Sequence, residues 1–283
     1  MNRNETHVDE FEKWIAALEA KAEGLGHAVA EAHQDRSLLG FQTEWHVRGL
    51  IYHLRRCHEH YSTFVGEVSA RASAGASAIL MFAPSFQQML FEFYTLVNLA
   101  RISLDNLRVY LRPLFVRSSH QLPKSVRDVL AGNSDCPVYM QLSDQPLLTY
   151  LLDLRNCLVH YRSFATSDNA IVRDENLKEE LLNDADGDPF LTAMARAEFR
   201  RVGPDAISVN VLLPDRIFEE KTTGGGDRLA PFTYSERGNL LSMAKGFVEL
   251  TAGALIATMH LLAHVDEPMF QFLAKSSRSR SNS

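Results

Sequence analysis

Cysteine is scarce. Cys57, Cys136 and Cys157 are the only three in 283 residues, and they form no C-x-x-C pair and no zinc-ribbon spacing. A disulfide scaffold is thereby excluded, and so sparse a set fits a reducing cytoplasm. Excess positive charge is also missing: the formal net charge is -6. No global basic field announces nucleic acid, although a local patch can still steer it. There is no G-x-S-x-G elbow for a serine hydrolase. The glycine-rich "TTGGGD" at 222–227 is followed by no lysine-serine pair and preceded by no strand of a βαβ unit, so it reads as a flexible linker. No internal repeat is visible. The first residues, "MNRNETHVDEFEKW", contain no apolar signal core. The longest apolar helix, about 239–265, is interrupted by Lys245, Glu249 and several small residues, which argues against a membrane span. The expectation is a cytoplasmic protein with no membrane partner.

What the chain does have is apolar residues, 46% of the total, at helical spacing. Val8, Phe11, Ile15, Leu18, Ala22, Leu25 and Val29 recur in steps of three and four and predict one amphipathic helix. The same rhythm runs through Val47, Leu50, Leu54, Cys57, Tyr61, Phe64 and Val68, and through Phe86, Leu90, Phe93, Val97, Ala100, Leu104, Leu107 and Leu111, with Pro113 just beyond as a stop. A fourth helix carries Leu147, Leu151, Leu154, Leu158 and Tyr161, with Ser143 and Asp144 as candidate N-caps and Pro146 in its first turn. A fifth, about 235–265, has Leu240, Ala244, Phe247, Thr251, Ala254, Thr258 and Leu261 on one seam. Long helices with one apolar seam each pack most simply side by side. The expected fold is an all-α bundle.

One segment breaks the rhythm. In "AEFRRVGPDAISVNVLLP", residues 197–214, Ile207, Val209, Val211 and Leu213 alternate with period two after the turn chemistry of "GPD". This predicts a small β-hairpin inserted in the bundle, within about 190–218. Residues 1–270 are then expected to form a single domain, and the polar 271–283 a disordered tail.

The stretch "LLDLRNCLVHYRSF", residues 151–164, carries the chemistry. Asn156 and His160 are four apart and share a helical face. Arg155 and His160 are five apart, so their directions differ by about 140°, yet a long arginine stem can bridge that. A guanidinium grips phosphate oxygens and stays charged, and an imidazole moves a proton near neutrality. With the 2′-hydroxyl of RNA as a built-in nucleophile, these two groups suffice for cleavage without a metal. The spacing alone is weak, because Arg48–His53 and Arg55–His60 repeat it. The context of the third, an asparagine after the arginine and an apolar residue before the histidine, sets it apart.

With that context, "LRNCLVHYR" resembles the RN-x-x-x-H signature of HEPN domains, and "FYTLVNLARISLDNLRVYLRPLF" resembles the preceding helix in some of those families. The resemblance covers about 85–165. It implies a helical bundle that forms a homodimer and acts as a metal-independent endoribonuclease on RNA with no cofactor, in toxin–antitoxin or phage-defence settings, with an antitoxin or other protein as a further partner. Arg155 would stabilise the phosphate transition state, His160 act as general base or acid, and Asn156 position the histidine or a phosphate oxygen. Some members of the family have lost catalysis. The resemblance therefore also implies a second expectation, a non-catalytic module that binds a protein, nucleotide or RNA.

Around the motif, Asn98, Arg101, Asp105, Arg108 and Arg112 form a polar stripe on the third helix. In one reading Asp105 and Arg101 support the site while Arg108, Arg112 and the motif's neighbour Arg162 contact RNA backbone. In the other the stripe is a solvated face with an internal Arg101–Asp105 pair. The run "HVRGLIYHLRRCHEHY" places His53, Cys57 and His60 at steps a metal could use, but Cys57 falls on the core seam, where a free thiol is an ordinary hydrophobe. A basic, pH-sensitive face with Arg48, Arg55 and Arg56 is the preferred reading. His260 and His264, four apart without a telling third ligand, read as packing or capping. No metal site is expected.

Overall fold

The computed structural model describes residues 3–72, 78–115, 122–129, 134–160, 169–176, 195–203, 206–213, 216–220, 227–231, 238–265 and 269–270, with the backbone alone at 3–9, 35, 37, 157, 159, 160, 169, 216–220 and 227–231. The elements are α1 (Arg3–Ala22), α2 (Leu25–Ala32), α3 (Ser37–Arg71), β1 (Ala78–Phe82), α4 (Pro84–Leu111), α5 (Val126–Val129), α6 (Pro137–Ser143), α7 (Pro146–His160), β2 (Asn169–Asp174), β3 (Arg196–Arg201), β4 (Ile207–Leu212), β5 (Arg216–Glu220), β6 (Asp227–Pro231) and α8 (Leu240–His264). The expected helical bundle with a small β insertion is what forms. Two compact units emerge from its contacts: residues 1–51, 99–149 and 249–283, and residues 52–98 and 150–248. The tail 271–283 lies outside the described residues.

The first unit buries predicted seam positions of its helices, among them Ile15, Leu18, Val29, Val47, Leu50, Leu104, Leu107, Ala254 and Thr258, and off that seam also Leu255 and Met259. Each such side chain contributes about 1.5–3 kcal/mol by leaving water. The single helix expected over 8–29 is instead two. The backbone breaks at Gly24, whose φ of 77° is left-handed, a conformation that a residue without a Cβ enters freely. The apolar period survives because Ala22 and Val29, on either side of the break, are both buried. Beyond it, α2 lies against α3 so closely that a Cβ on Gly40 would stand 3.0 Å from the Gly26 Cα. Gly24→Ala is expected to cost about 1–2 kcal/mol, read as a lower urea midpoint at unchanged m-value. Gly66→Ala, in open space on α3, should shift the midpoint the other way.

In the second unit Phe247 of α8 stands 6.3 Å from Phe93 of α4 and 5.7 Å from Tyr150 of α7, centroid to centroid. A four-stranded sheet in the order β1-β2-β3-β4 lies in the same unit. The predicted hairpin is its β3–β4 half, in register from Arg196↔Leu212 to Arg201↔Ile207. The loop between them is closed by Val202 N–H donating to the Ala206 carbonyl at 2.9 Å. The sequence reading missed the rest: β2 runs parallel to β3, and β1 antiparallel to β2 from Ala78↔Arg173 to Phe82↔Asn169. Ile79, Met81, Val172, Ala197, Phe199, Val209 and Val211 face inward and are buried, as alternation on a one-sided sheet requires. The outer edge of β4 is covered: the Tyr61 hydroxyl of α3 donates to the Val209 carbonyl at 2.5 Å, and Leu213 N–H to the Gly238 carbonyl. β5 and β6 form a separate ribbon.

By length and composition α8 passes as a membrane-crossing helix, with half of its most apolar window buried inside the protein. Leu240, Ala244, Phe247, Thr251, Ala254 and Thr258 of its predicted seam are all buried.

Candidate functional site

Helix α7 carries the Arg-Asn-x-x-x-His stretch. Pro146 opens it, pre-set in φ and with no N–H to leave unpaired. Ser143 and Asp144 are not its caps: they close α6, where the Ser143 hydroxyl donates to the Met140 carbonyl at 2.8 Å. Leu148, Leu151, Leu152, Leu154 and Leu158 are buried. Arg155 and Asn156 come out beside that stripe, each half-buried. The Arg155 Nε is sealed from solvent and has no hydrogen-bond partner among the described residues. His160 is the last residue of α7; its side chain, and all of Arg162, lie outside the described residues.

The end of α7 is fixed from outside. The last carbonyls of a helix lack partners within it. The Tyr94 hydroxyl of α4 donates to the Leu158 carbonyl at 2.5 Å and so caps the turn that ends in His160. Sequence reasoning missed Tyr94, which sits next to the core residue Phe93 and shows no signal of its own. Tyr94→Phe leaves that carbonyl unpaired and is expected to cost about 1–2 kcal/mol in a denaturant titration.

The other predicted residues belong to the first unit. Arg101 Nε and Asp105 Oδ2 are 2.9 Å apart. Asp105 Oδ1 accepts the Val126 N–H at 2.9 Å, at the start of α5. Of the two roles read for Asp105, the internal pair is thus formed, and both carboxylate oxygens are engaged. Arg108 donates to the Lys124 carbonyl at 3.2 Å while exposed, and Arg112 is exposed in the 3₁₀ turn Arg112–Leu114.

The histidine-rich face of α3 is more balanced in charge than its sequence suggests. His53 Nδ1 is 2.7 Å from Glu92 Oε2 on α4, Arg56 pairs with Glu59 at 2.5 Å, and Arg48 pairs with Glu44. Cys57 points into the core with its Sγ toward the Met89 carbonyl; burial, helped by the Glu92 charge, pushes its thiol well above the usual range. No group of three metal-ligating side chains occurs among the described residues. His264 Nδ1–H donates to the His260 carbonyl at 2.7 Å.

A second feature had no sequence signal. In the first unit Phe41, Gln42, Trp45 and His46 of α3 and Asn106 and Tyr110 of α4 line an open cleft of about 400 Å³. Burial raises the Tyr110 phenol above its ordinary pKa, against the pull of the Thr43 and Asn106 side chains. Burial also lowers the pKa of His46.

No family model, no curated protein and no solved structure matches the chain.

Proposed function

We propose that this chain is a HEPN-like, metal-independent endoribonuclease working as a homodimer. The observation that carries the reading is Arg155: a half-buried guanidinium whose Nε is enclosed without a partner among the described residues, on the same helix as His160 and one residue before Asn156. An arginine held for structure alone normally satisfies its enclosed nitrogens; one left unsatisfied keeps its capacity for an anion. In the reaction His160 takes the proton of the RNA 2′-hydroxyl, and that oxygen attacks the adjacent phosphorus. Arg155 neutralises the charge gathering on the phosphoryl oxygens. The 5′-oxygen leaves and takes its proton from the now protonated His160 or from water, so the products are a 2′,3′-cyclic phosphate and a 5′-hydroxyl. Asn156 orients the histidine or a phosphate oxygen.

The test is incubation of the purified chain with single-stranded RNA in excess EDTA. Fragments with 2′,3′-cyclic phosphate ends support the reading. No cleavage by a protein that still binds RNA selects the non-catalytic module instead, and 3′-hydroxyl ends refute the mechanism.

A further inference from the structure

We propose that the aromatic cleft of the first unit binds a nucleobase. The inference goes beyond the ribonuclease reading and does not rest on it, since Arg155 belongs to the other unit.

The cleft's residues present one coherent chemistry. Trp45 is 76% exposed, and Phe41, 42% exposed, is its neighbour one turn away on α3. Large rings left in water on a well-packed helix are costly unless something covers them. Phe41 is held in place: His27 meets it edge-on at 5.3 Å, and its ring lies so close to Gly26 that a Cβ there would stand 2.8 Å from Cδ1. His46 and Tyr110 form the deeper part, ring to ring at 6.4 Å and 61°. Gln42 and Asn106 supply carboxamides at the same walls.

None of the six lining residues carries a formal acidic or basic charge apart from the titratable His46, whose Nδ1 is sealed off without a hydrogen-bond partner among the described residues. A phosphate or carboxylate would find no cation here, and a metal no ligand set. A purely aliphatic occupant would offer nothing to the Gln42 carboxamide, or to the part of the Asn106 carboxamide that the Tyr110 hydroxyl does not engage. A flat heteroaromatic ring with donors and acceptors along its edge satisfies every part: its face stacks on indole or phenyl, and its edge pairs with amide groups, as unpaired bases do on aromatic platforms. The base can come from a free nucleotide or from single-stranded RNA.

The chain has two tryptophans, Trp14 and Trp45, so Trp14→Phe leaves Trp45 as the sole indole reporter. The full-length variant is titrated with AMP, GMP, ribose 5-phosphate and a short oligoadenylate, reading its emission. Saturable quenching by AMP or GMP, with none from ribose 5-phosphate, is expected. Oligoadenylate saturating at far lower base concentration than AMP would identify RNA as the source; equal affinities would identify the free nucleotide. By calorimetry, Trp45→Ala should weaken binding at least about tenfold and Trp45→Phe much less, while Phe91→Ala, at an exposed position of the other unit, leaves it unchanged. Flat emission to millimolar nucleotide, or equal quenching by ribose 5-phosphate, overturns the assignment.

Discussion

Arg155→Met is expected to slow RNA cleavage severely and leave the protein as stable as before, or more so. The change removes the cation that neutralises the phosphorane, and loss of one such preorganised donor costs about 10²–10³-fold in rate. It also removes an enclosed nitrogen that has no hydrogen-bond partner among the described residues, while the methionine keeps most of the apolar stem. A guanidinium serving the fold would show the opposite pattern, destabilisation with little kinetic effect. Arg155→Lys should restore only part of the rate, because an ammonium cannot hold two phosphoryl oxygens in the guanidinium's fork. His160→Ala should cost about 10²–10⁴-fold through loss of proton transfer. Single-turnover cleavage in EDTA and urea unfolding, run on the same preparations, check both halves. Variants that cleave like the parent chain would end the nuclease reading.

Phe247→Ala is expected to be the most destabilising truncation in the second unit, at about 3–5 kcal/mol. Its ring is fully buried and touches Phe93 and Tyr150, so the loss leaves a void bordered by three helices. Against a total stability of about 5–15 kcal/mol, much of the reserve would vanish. Tyr150 lies on α7, so the same void should loosen the seat of the candidate site and slow cleavage before the protein unfolds globally. Phe247→Leu should cost about 1–2 kcal/mol, and Phe91→Ala, at an exposed position on α4, within about 0.5 kcal/mol. Equilibrium denaturation of the three variants gives the order. A Phe247→Ala no weaker than Phe91→Ala would mean that these rings do not form the centre of the unit.

The helices were legible because burial follows their period. Every seam position from Phe86 to Leu111 on α4 is buried, and the stop at Pro113 needs only local sterics. The hairpin was legible for the same local reason: Val209 and Val211 alternate beside a turn. β1 was not. "AILMF" is a short apolar run that periodicity cannot assign, and its partner β2 lies far along the chain, beyond α4 and α7. The break at Gly24 was hidden because the apolar phase is kept on both sides of it. In the candidate site, Arg155, Asn156 and His160 stand out by their context on one helix, an asparagine directly after the arginine and an apolar residue before the histidine, since the spacing alone recurs on α3. Tyr94 acts through its hydroxyl on a carbonyl of another helix, and the cleft assembles Trp45 and Asn106 from two helices. Neither leaves a pattern in one dimension.

The pairing of Ala78 with Arg173 also has a kinetic meaning. A hairpin such as β3–β4 closes in about 1–10 μs, but β1 can find β2 only after the chain between them has collapsed, and closing so long a loop is entropically slow. Until then a chargeless strand, with Leu80 and Phe82 still exposed even in the folded protein, is open to strands of other chains. This chargeless, aggregation-prone strand is therefore one of the last to be sheltered during folding.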